Sequence, residues 1–273
     1  MIRIFVINLK SSVERRKTME KQLNRLGLSF EIFDAVNGAD LSDNEITSYF
    51  DMNFYNHRPH YYTPGLSGCI LSHYFLYKKM VDEKIDVALI LEDDMILNKN
   101  LLQLFEQLSK EIRNDEVNML FYQSRFPINL SQNSVTPLND KFNLYQVIST
   151  KGLRSTAGYL ITFDAANSML KGLRPFSAFP NEWKSFYDRN LVNGIRVVYP
   201  SLLSNTYQTT AISPNKKGGA IAKTLLSLVE KNLVEKNKVF PFYQLLKWRR
   251  MKNIAKSRQC FILSDPIIDF RKK

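Results

Sequence analysis

Two hydrophobic periods alternate along most of the chain. Short runs such as residues 87–91 are apolar at every position, which is typical of a strand buried on both faces. Between these runs, apolar residues return every three or four positions, as Leu101, Leu104 and Leu108 do, which is typical of a helix. The predicted strands cover residues 2–7, 29–33, 86–91, 117–122, 144–148, 157–163 and 195–199. The predicted helices cover residues 11–26, 66–81 and 101–112, and a further helix begins at residue 165. This order predicts an α/β fold with a mostly parallel central sheet, in which ligands bind at the carboxyl ends of the strands.

Local signals refine some of these elements. Ser11 and Glu14 have the spacing of a capping box, and Gly27 is placed to end the first helix. Residues 40–64 show no clear period, so they predict a long loop with a short helix. We also expect residues 144–148 to pair with residues 157–163.

The positive charge is concentrated near the C-terminus. The 273 residues carry a formal net charge of +12, but residues 221–273 hold 13 of the 38 basic residues and 4 of the 26 acidic ones. A net of +9 therefore belongs to this segment and +3 to the rest of the chain. We expect a catalytic domain over residues 1–213 and a basic helical extension over residues 220–273, with the hinge at residues 214–219. The hydrophobic content of 44% excludes a disordered chain, and two cysteines exclude a disulfide framework.

Three adjacent carboxylates, Glu92, Asp93 and Asp94, follow the most apolar predicted strand. Mutual repulsion makes such a triplet costly unless solvent or a cation compensates for it. Mg²⁺ and Mn²⁺ prefer carboxylate oxygens and bridge to phosphates. The alternative interpretation is a solvated acidic turn.

Several segments resemble glycosyltransferase family 25, which contains bacterial lipopolysaccharide and lipooligosaccharide galactosyltransferases and collagen-modifying enzymes of animals. The resemblance covers about residues 3–205 and follows the family's order. The matching segments are Asn8-Leu9 followed by Glu14-Arg15-Arg16, residues 33–38 (FDAVNG), residues 62–73 (YTPGLSGCILSH), residues 91–94 (LEDD) and residues 157–161 (AGYLI). Residue 66 departs from the pattern, because Leu66 stands where the family often has Glu.

The resemblance implies a GT-A-like (Rossmann-like) fold, a UDP-sugar donor such as UDP-galactose, and inversion at the anomeric carbon. The acidic triplet would be the family's form of the DXD motif. Asp94 would contact the metal ion, and Glu92 or Asp93 would reach the ribose or the metal through water. The residues expected to border the donor from the remaining segments are Asn8, Leu9, Ala35, Val36, Asn37, Ser72 and His73.

An inverting transfer also needs a base that takes the proton of the acceptor hydroxyl. Glu182 is our first candidate, with Trp183 as a platform for the acceptor sugar, and Asp188 is the second. Arg154 is expected to meet the donor sugar or phosphate. The alternative interpretation is that Glu182 only stabilises the N-terminus of a helix, through the helix dipole.

Each of the remaining candidate site residues has both a functional and a purely structural interpretation. Arg15 and Arg16 could pair with phosphate or stack on a base, or could lie on a solvated helix face. His73 could contact the donor or be satisfied by a neighbour within its helix. Histidine is absent from the C-terminal half, so a third metal ligand there would be Asn205 or Gln208. His57 and His60 flank a loop that could close over the acceptor.

Residues 242–252 mix aromatic and basic side chains, which suits an anionic membrane surface. The alternative is a helix packed on the body with its charged ends in solvent. We therefore expect a cytoplasmic enzyme that either lies peripherally on the inner face of the cytoplasmic membrane or stays free of it, with a UDP-sugar and a glycan or glycolipid as partners. A non-enzymatic membrane protein or nucleic-acid binder is the alternative, but the near-neutral body and the lack of a recognised motif argue against nucleic acid.

Overall fold

The fold is known from a computed structural model, which describes residues 2–57, 63–124, 128–177, 181–205 and 261–264. The helices are α1 (Val13–Arg25), α2 (Asp43–Tyr49), α3 (Met52–Asn56), α4 (Pro64–Asp82), α5 (Leu101–Glu111), α6 (Phe163–Gly172) and α7 (Trp183–Asp188). The strands are β1 (Arg3–Asn8), β2 (Glu31–Asp34), β3 (Val87–Glu92), β4 (Met95–Leu97), β5 (Glu116–Met119), β6 (Gln123–Ser124), β7 (Ile128–Pro137), β8 (Asn143–Val147), β9 (Leu153–Arg154), β10 (Gly158–Thr162), β11 (Gly194–Tyr199), β12 (Leu203–Asn205) and β13 (Phe261–Ser264).

Nine of these strands form one sheet in the order β13-β7-β8-β11-β5-β10-β3-β1-β2. Seven run in the same direction, and β8 and β10 run against them. The predicted α/β fold and mostly parallel sheet are therefore confirmed. β4 and β12 form a separate small ladder, as do β6 and β9.

The sheet separates two hydrophobic clusters. Side chains alternate between the two faces of a strand, so Phe5 packs with α4, α6 and α7, while Val6 packs with α1 and α5. Both residues are fully buried. Burial on both faces explains why β1, β3 and β10 contain so few polar residues, and it leaves polar groups to gather where these strands end.

Several local expectations are corrected. The predicted pairing of residues 144–148 with residues 157–163 is wrong: β8 lies between β7 and β11, and β10 lies between β3 and β5. The capping box is also wrong, because Ser12 is the N-cap of α1 and makes no side-chain cap bond. A capping box is formed instead by Ser42 and Glu45 at α2.

The region predicted as a long loop contains α2, α3 and a short 3₁₀ helix (Gly38–Asp40). Gly27 does follow the end of α1, with a φ of +67° that favours glycine. The predicted hinge lies outside the described residues, as does most of the extension. One segment of the extension, β13, pairs in parallel with β7 at the edge of the sheet. No helix of the described part is long and apolar enough to cross a membrane.

Candidate functional site

The three carboxylates at the end of β3 have different surroundings, and Asp93 has a partner at each of its two oxygens. Its Oδ2 accepts a hydrogen bond of 2.7 Å from Asn8 Nδ2, and its Oδ1 lies 2.9 Å from an Arg15 guanidinium nitrogen. Only 11% of the Asp93 side chain is exposed. Asp93 therefore ties the triplet to β1 and α1, and both of its oxygens are in use.

Glu92 faces α4 and the segment before β10. Its Oε1 accepts a hydrogen bond of 2.8 Å from Thr156 Oγ1 and lies 3.7 Å from His73 Nε2. Burial would raise the pKa of Glu92, but the neighbouring His73 and the bond from Thr156 outweigh it and hold that pKa below the ordinary value. Glu92 is thus a carboxylate at neutral pH.

Asp94 is the carboxylate whose hydrogen bonding is incomplete within the described residues. Its Oδ1 is buried and has no hydrogen-bond partner within the described residues. Burial, together with the negative charge of Glu92, raises the pKa of Asp94 to about 6. An oxygen in this state is costly in the free protein and is a suitable ligand for a hard cation.

The donor set here fits Mn²⁺ or Mg²⁺ through Asp94, with Glu92 beside it, better than through Asp93. Asn205 ends β12 directly opposite Met95 in the β4–β12 ladder, so this predicted third ligand comes close to the triplet in the sheet register. Gln208, the other candidate, lies outside the described residues.

The loop after β2 and helix α4, which carry two of the family-like segments, are joined by hydrogen bonds. The backbone N–H of Val36 donates a hydrogen bond of 2.9 Å to Ser72 Oγ, which itself donates to the carbonyl of Gly68. A methyl group on Gly68 would lie 2.4 Å from the Val36 carbonyl oxygen. Ser72 is 1% exposed, so its role is to fix the loop after β2 against α4.

The remaining donor-side candidates are placed by the backbone. The Ala35 N–H donates a hydrogen bond of 2.9 Å to the carbonyl of Asn8. The carbonyl of Leu9 accepts a hydrogen bond from the backbone N–H of Ser12 at the start of α1. Asn37 caps the 3₁₀ helix that follows. Asn8, Leu9, Ala35 and Val36 thus line the ends of β1 and β2, next to the acidic triplet.

The candidate base, Glu182, contacts Arg154. Glu182 Oε1 lies 3.5 Å from the Arg154 guanidinium, and about a quarter of the Glu182 side chain, 27%, is exposed. Arg154 is two residues before Thr156, which holds Glu92. The structure therefore brings Arg154 and Glu182 together and joins both to the triplet through one short segment.

This segment is strained. Ser155 has a φ of +103°, a region that residues with a side chain rarely occupy. Its carbonyl accepts a hydrogen bond of 2.6 Å from the Trp183 indole. The Trp183 ring is fully buried against Tyr159, so its predicted role as a platform for the acceptor is wrong. Trp183 instead fixes the strained turn and places Glu182 next to it.

Some predicted residues lie apart from this group. Asp188 is paired with Lys184 on an exposed face at the end of α7, with 51% of its side chain exposed. Arg16 pairs with Glu20, one turn further along α1, and no described contact joins it to the triplet. The His57 ring contacts the carbonyl of Asn53, and His60 lies outside the described residues.

Sequence reasoning missed two residues beside Glu92. Cys69 lies one turn before His73 on α4, and Tyr159 Oη lies 2.8 Å from His73 Nδ1. The spacing of four residues between Cys69 and His73 was a usable signal, because it places both on one helix face. The position of Tyr159 depends on strand pairing, which the sequence did not predict correctly.

A mixed sheet with an acidic cluster at the carboxyl end of a central strand defines an α/β protein whose candidate site suits a cation. Its family follows from a family model, glycosyltransferase family 25 (LPS biosynthesis protein), which matches residues 1–182. The chain belongs to this family.

Curated relatives agree with that assignment. A glycosyltransferase 25 family member of Drosophila melanogaster is 32% identical over 176 residues, covering 62% of this chain and 27% of that protein. The human procollagen galactosyltransferase 2 is 28% identical, covering 63% of this chain and 28% of that protein. The lipooligosaccharide biosynthesis protein lic2B of Haemophilus influenzae is 27% identical, covering 60% of this chain and 61% of that protein. The chain thus spans about a quarter of the length of the two animal relatives.

Among solved structures, a glycosyltransferase involved in the glycosylation of the major capsid of PBCV-1 is 14% identical. That alignment covers 77% of this chain and 94% of the other, with a TM-score of 0.37.

Proposed function

We propose that the protein is an inverting, metal-dependent glycosyltransferase that moves galactose from UDP-galactose to a lipopolysaccharide, lipooligosaccharide or other surface-glycan acceptor. The observation that carries the proposal is the orphaned Asp94 oxygen beside Glu92, in a chain of glycosyltransferase family 25. The names of the lic2B and procollagen galactosyltransferase relatives support the choice of acceptor class and of galactose.

In this proposal, residues of β1, β2 and α4 bind the nucleotide. The loop after β2 is held rigid by Ser72 and Gly68, so its backbone groups meet the base in a fixed geometry. Asp94 and Glu92 would hold Mn²⁺ or Mg²⁺, which when bound supplies positive charge to the departing diphosphate. Asp93 and Arg15, through their ion pair, keep the triplet in position.

Glu182 takes the proton of the acceptor hydroxyl as that oxygen bonds to the anomeric carbon. The bond from this carbon to the phosphate oxygen breaks on the opposite face, and UDP leaves. Arg154 orients the Glu182 carboxylate, and the strained turn at Ser155 sets the separation between the base and Glu92. Attack opposite the leaving group inverts the anomeric configuration, so an α-linked donor gives a β-linked product.

The test is transfer from a panel of UDP-sugars to simple acceptor glycosides in the presence of Mn²⁺, with the anomeric configuration of the product read by NMR. We expect transfer from UDP-galactose with a β linkage, and loss of transfer with EDTA. Asp94→Asn should lower the rate at least about 100-fold, because a preferred cation ligand is lost. Asp82→Asn, which changes an exposed carboxylate paired with Lys78, is the matched control and should keep the rate.

Full activity in EDTA or in Asp94→Asn would refute metal dependence. An α-linked product would refute inversion. Transfer of a different sugar would refute the choice of galactose while leaving the reaction class in place.

We further propose that the enzyme works in the cytoplasm, at the inner face of the membrane, where a lipid-linked acceptor would be available. The relation to a lipooligosaccharide biosynthesis protein and the basic composition of residues 221–273 support this placement.

A further inference from the structure

Three donor atoms of different chemistry meet beside the acidic triplet. Cys69 Sγ, one ring nitrogen of His73 and a Glu92 carboxylate oxygen all lie within 4.8 Å of one another, and His73 Nε2 is 3.7 Å from Glu92 Oε1. Cys69 and His73 are one turn apart on α4, and Glu92 reaches them from the end of β3. The close approach of α4 to the loop after β2, which Gly68 permits, holds this part of the helix against that loop.

His73 has a buried nitrogen without a partner. The residue is 3% exposed, and its Nε2 makes no hydrogen bond within the described part of the chain. A buried polar atom in this state is costly unless something binds to it. Nε2 points toward Glu92, whose Oε1 is 3.7 Å away, too far for a hydrogen bond.

The other ring nitrogen is fixed as in a metal site. Nδ1 lies 2.8 Å from Tyr159 Oη, which lies 2.6 Å from Tyr77 Oη. When the ring proton is on Nδ1, the Nδ1–H group donates a hydrogen bond to Tyr159 Oη, and Nε2 has a lone pair that can bind a cation. A metal-binding histidine is held in this way by a partner on its second nitrogen.

We propose that Cys69, His73 and Glu92 form a binding site for a borderline transition-metal cation of the Zn²⁺ class. Sulfur, imidazole nitrogen and carboxylate oxygen are the three ligand types that zinc accepts, whereas Mn²⁺ and Mg²⁺ prefer oxygen alone. Ligand bonds of about 2.1 Å in a tetrahedron put neighbouring N and O ligands about 3.4 Å apart, so the 3.7 Å separation here needs only a small closure.

Charge and access also suit a cation. Binding replaces the Cys69 thiol proton, which leaves to solvent, and the resulting thiolate and Glu92 carboxylate balance a dication. Cys69 and Glu92 are both partly exposed, which gives the ion a path in.

This site is different from the cation site of the proposed function, which uses only oxygen ligands and is centred on Asp94, although Glu92 is a ligand in both proposals. The inference rests on the geometry of three side chains and does not depend on glycosyl transfer. Its test therefore uses a spectroscopic signal, so that a failure here is distinguishable from a failure of the transferase proposal.

The experiment is a Co²⁺ titration of the full chain after chelator treatment, followed by absorption. We expect a thiolate-to-Co²⁺ charge-transfer band and intense d–d bands of a tetrahedral ion, saturating near one equivalent. Zn²⁺ should remove both at one equivalent, because zinc binds such sites more tightly than cobalt.

Cys69→Ser should lose the charge-transfer band. Cys260→Ser is the matched control, since the chain has two cysteines, and it should keep the band. Circular dichroism and thermal unfolding of both variants establish that they fold. No band in the wild-type chain would overturn the proposal, as would a band that survives in a folded Cys69→Ser variant or disappears with Cys260→Ser.

Discussion

At the scale of single residues, the environments of Glu182 and Asp188 separate two candidates that the sequence left open. Glu182 is joined through Arg154 to the segment that holds Glu92, whereas Asp188 lies on an exposed face and pairs with Lys184. We expect Glu182→Gln to lower kcat by about 100- to 10,000-fold, the contribution typical of a general base. Steady-state rates with a UDP-sugar and a saturating acceptor measure this.

Asp188→Asn should stay within about twofold of the wild-type kcat, since exposed ion pairs of this kind contribute little. The pair of variants is matched, because both remove one negative charge from the region of α7. If Asp188→Asn were the inactive variant and Glu182→Gln the active one, the base would be misassigned.

The raised pKa of Asp94 makes stability depend on pH. The pKa of its carboxyl is about 6 in the folded protein and near its ordinary 3.8 in the unfolded chain. Between these values the folded state holds the extra proton, so the stability of the cation-free protein falls as pH rises from about 4 to 6. Asp94→Asn removes this loss. We therefore expect the free energy of unfolding of the variant at pH 7 to exceed that of the wild type by about 1–2 kcal/mol after allowance for solvent screening.

Urea unfolding in EDTA at pH 4 and pH 7 measures the difference. The two proteins should have similar free energies of unfolding at pH 4 and should diverge by pH 7. A constant difference across that range would contradict the assignment. For the same reason, Mn²⁺ affinity of the wild type should fall as pH drops below about 6, because the proton competes with the cation.

The location of the acidic triplet could be predicted from sequence, but its division of roles could not. A continuous apolar run followed by polar residues marks the end of a buried strand wherever it occurs. The partners of Asp93, however, are 78 and 85 residues away, and they are set by which strands and helices become neighbours. The orphaned oxygen of Asp94 is likewise a property of the assembled site.

At the scale of elements, the contact between α4 and the loop after β2 depends on the absence of side chains. A methyl group on Gly68 would lie 2.4 Å from the Val36 carbonyl oxygen and 2.8 Å from the Gly38 nitrogen, both backbone atoms that cannot rotate away. We expect Gly68→Ala to destabilise the protein by about 1–3 kcal/mol, as overpacking does, and to weaken nucleotide binding. Thermal unfolding and UDP titration measure the two effects.

Ser67→Ala is the matched control on the same helix. Its hydroxyl is buried without a hydrogen-bond partner among the described residues, so its removal should be neutral or slightly stabilising. Equal stability of the two variants would show that α4 and the loop can separate at little cost.

The elements that sequence missed were those with weak or misleading patterns. β7 contains Ser131, Gln132, Asn133 and Ser134 within its ten residues, so it lacks the apolar run that marks β3. The sequence predicts β8 and β10 as strands, but it also predicts that they pair with each other, because strands adjacent in sequence are usually neighbours in a sheet. In the fold, β11 and β5 lie between them, and each reversed strand takes its place between strands that run the other way.

At the scale of the whole molecule, the chain leaves the described body beside the site and returns at the far edge of the sheet. Asn205 lies opposite Met95, next to the acidic triplet, whereas β13 is the edge strand farthest from β2. Most of the +9 charge of residues 221–273 belongs to residues that come before β13 in the sequence. Removal of residues 221–273 would therefore also remove an edge strand, so the membrane hypothesis is better tested by substitution than by truncation.

Replacement of Lys247, Arg249, Arg250 and Lys252 by Gln in the full chain leaves β13 in place. At about 1 kcal/mol per basic residue near an anionic surface, this variant should bind phosphatidylserine-containing vesicles about 1,000-fold more weakly. Replacement of Lys10, Lys17, Lys141 and Lys151 is the matched control, since it removes the same charge from the exposed body. A general attraction of a +12 protein to anionic lipid would weaken equally in both variants, whereas a membrane-binding extension predicts a large loss in the first alone. Flotation on neutral vesicles should be weak for all three proteins, because the attraction is electrostatic and is screened by salt.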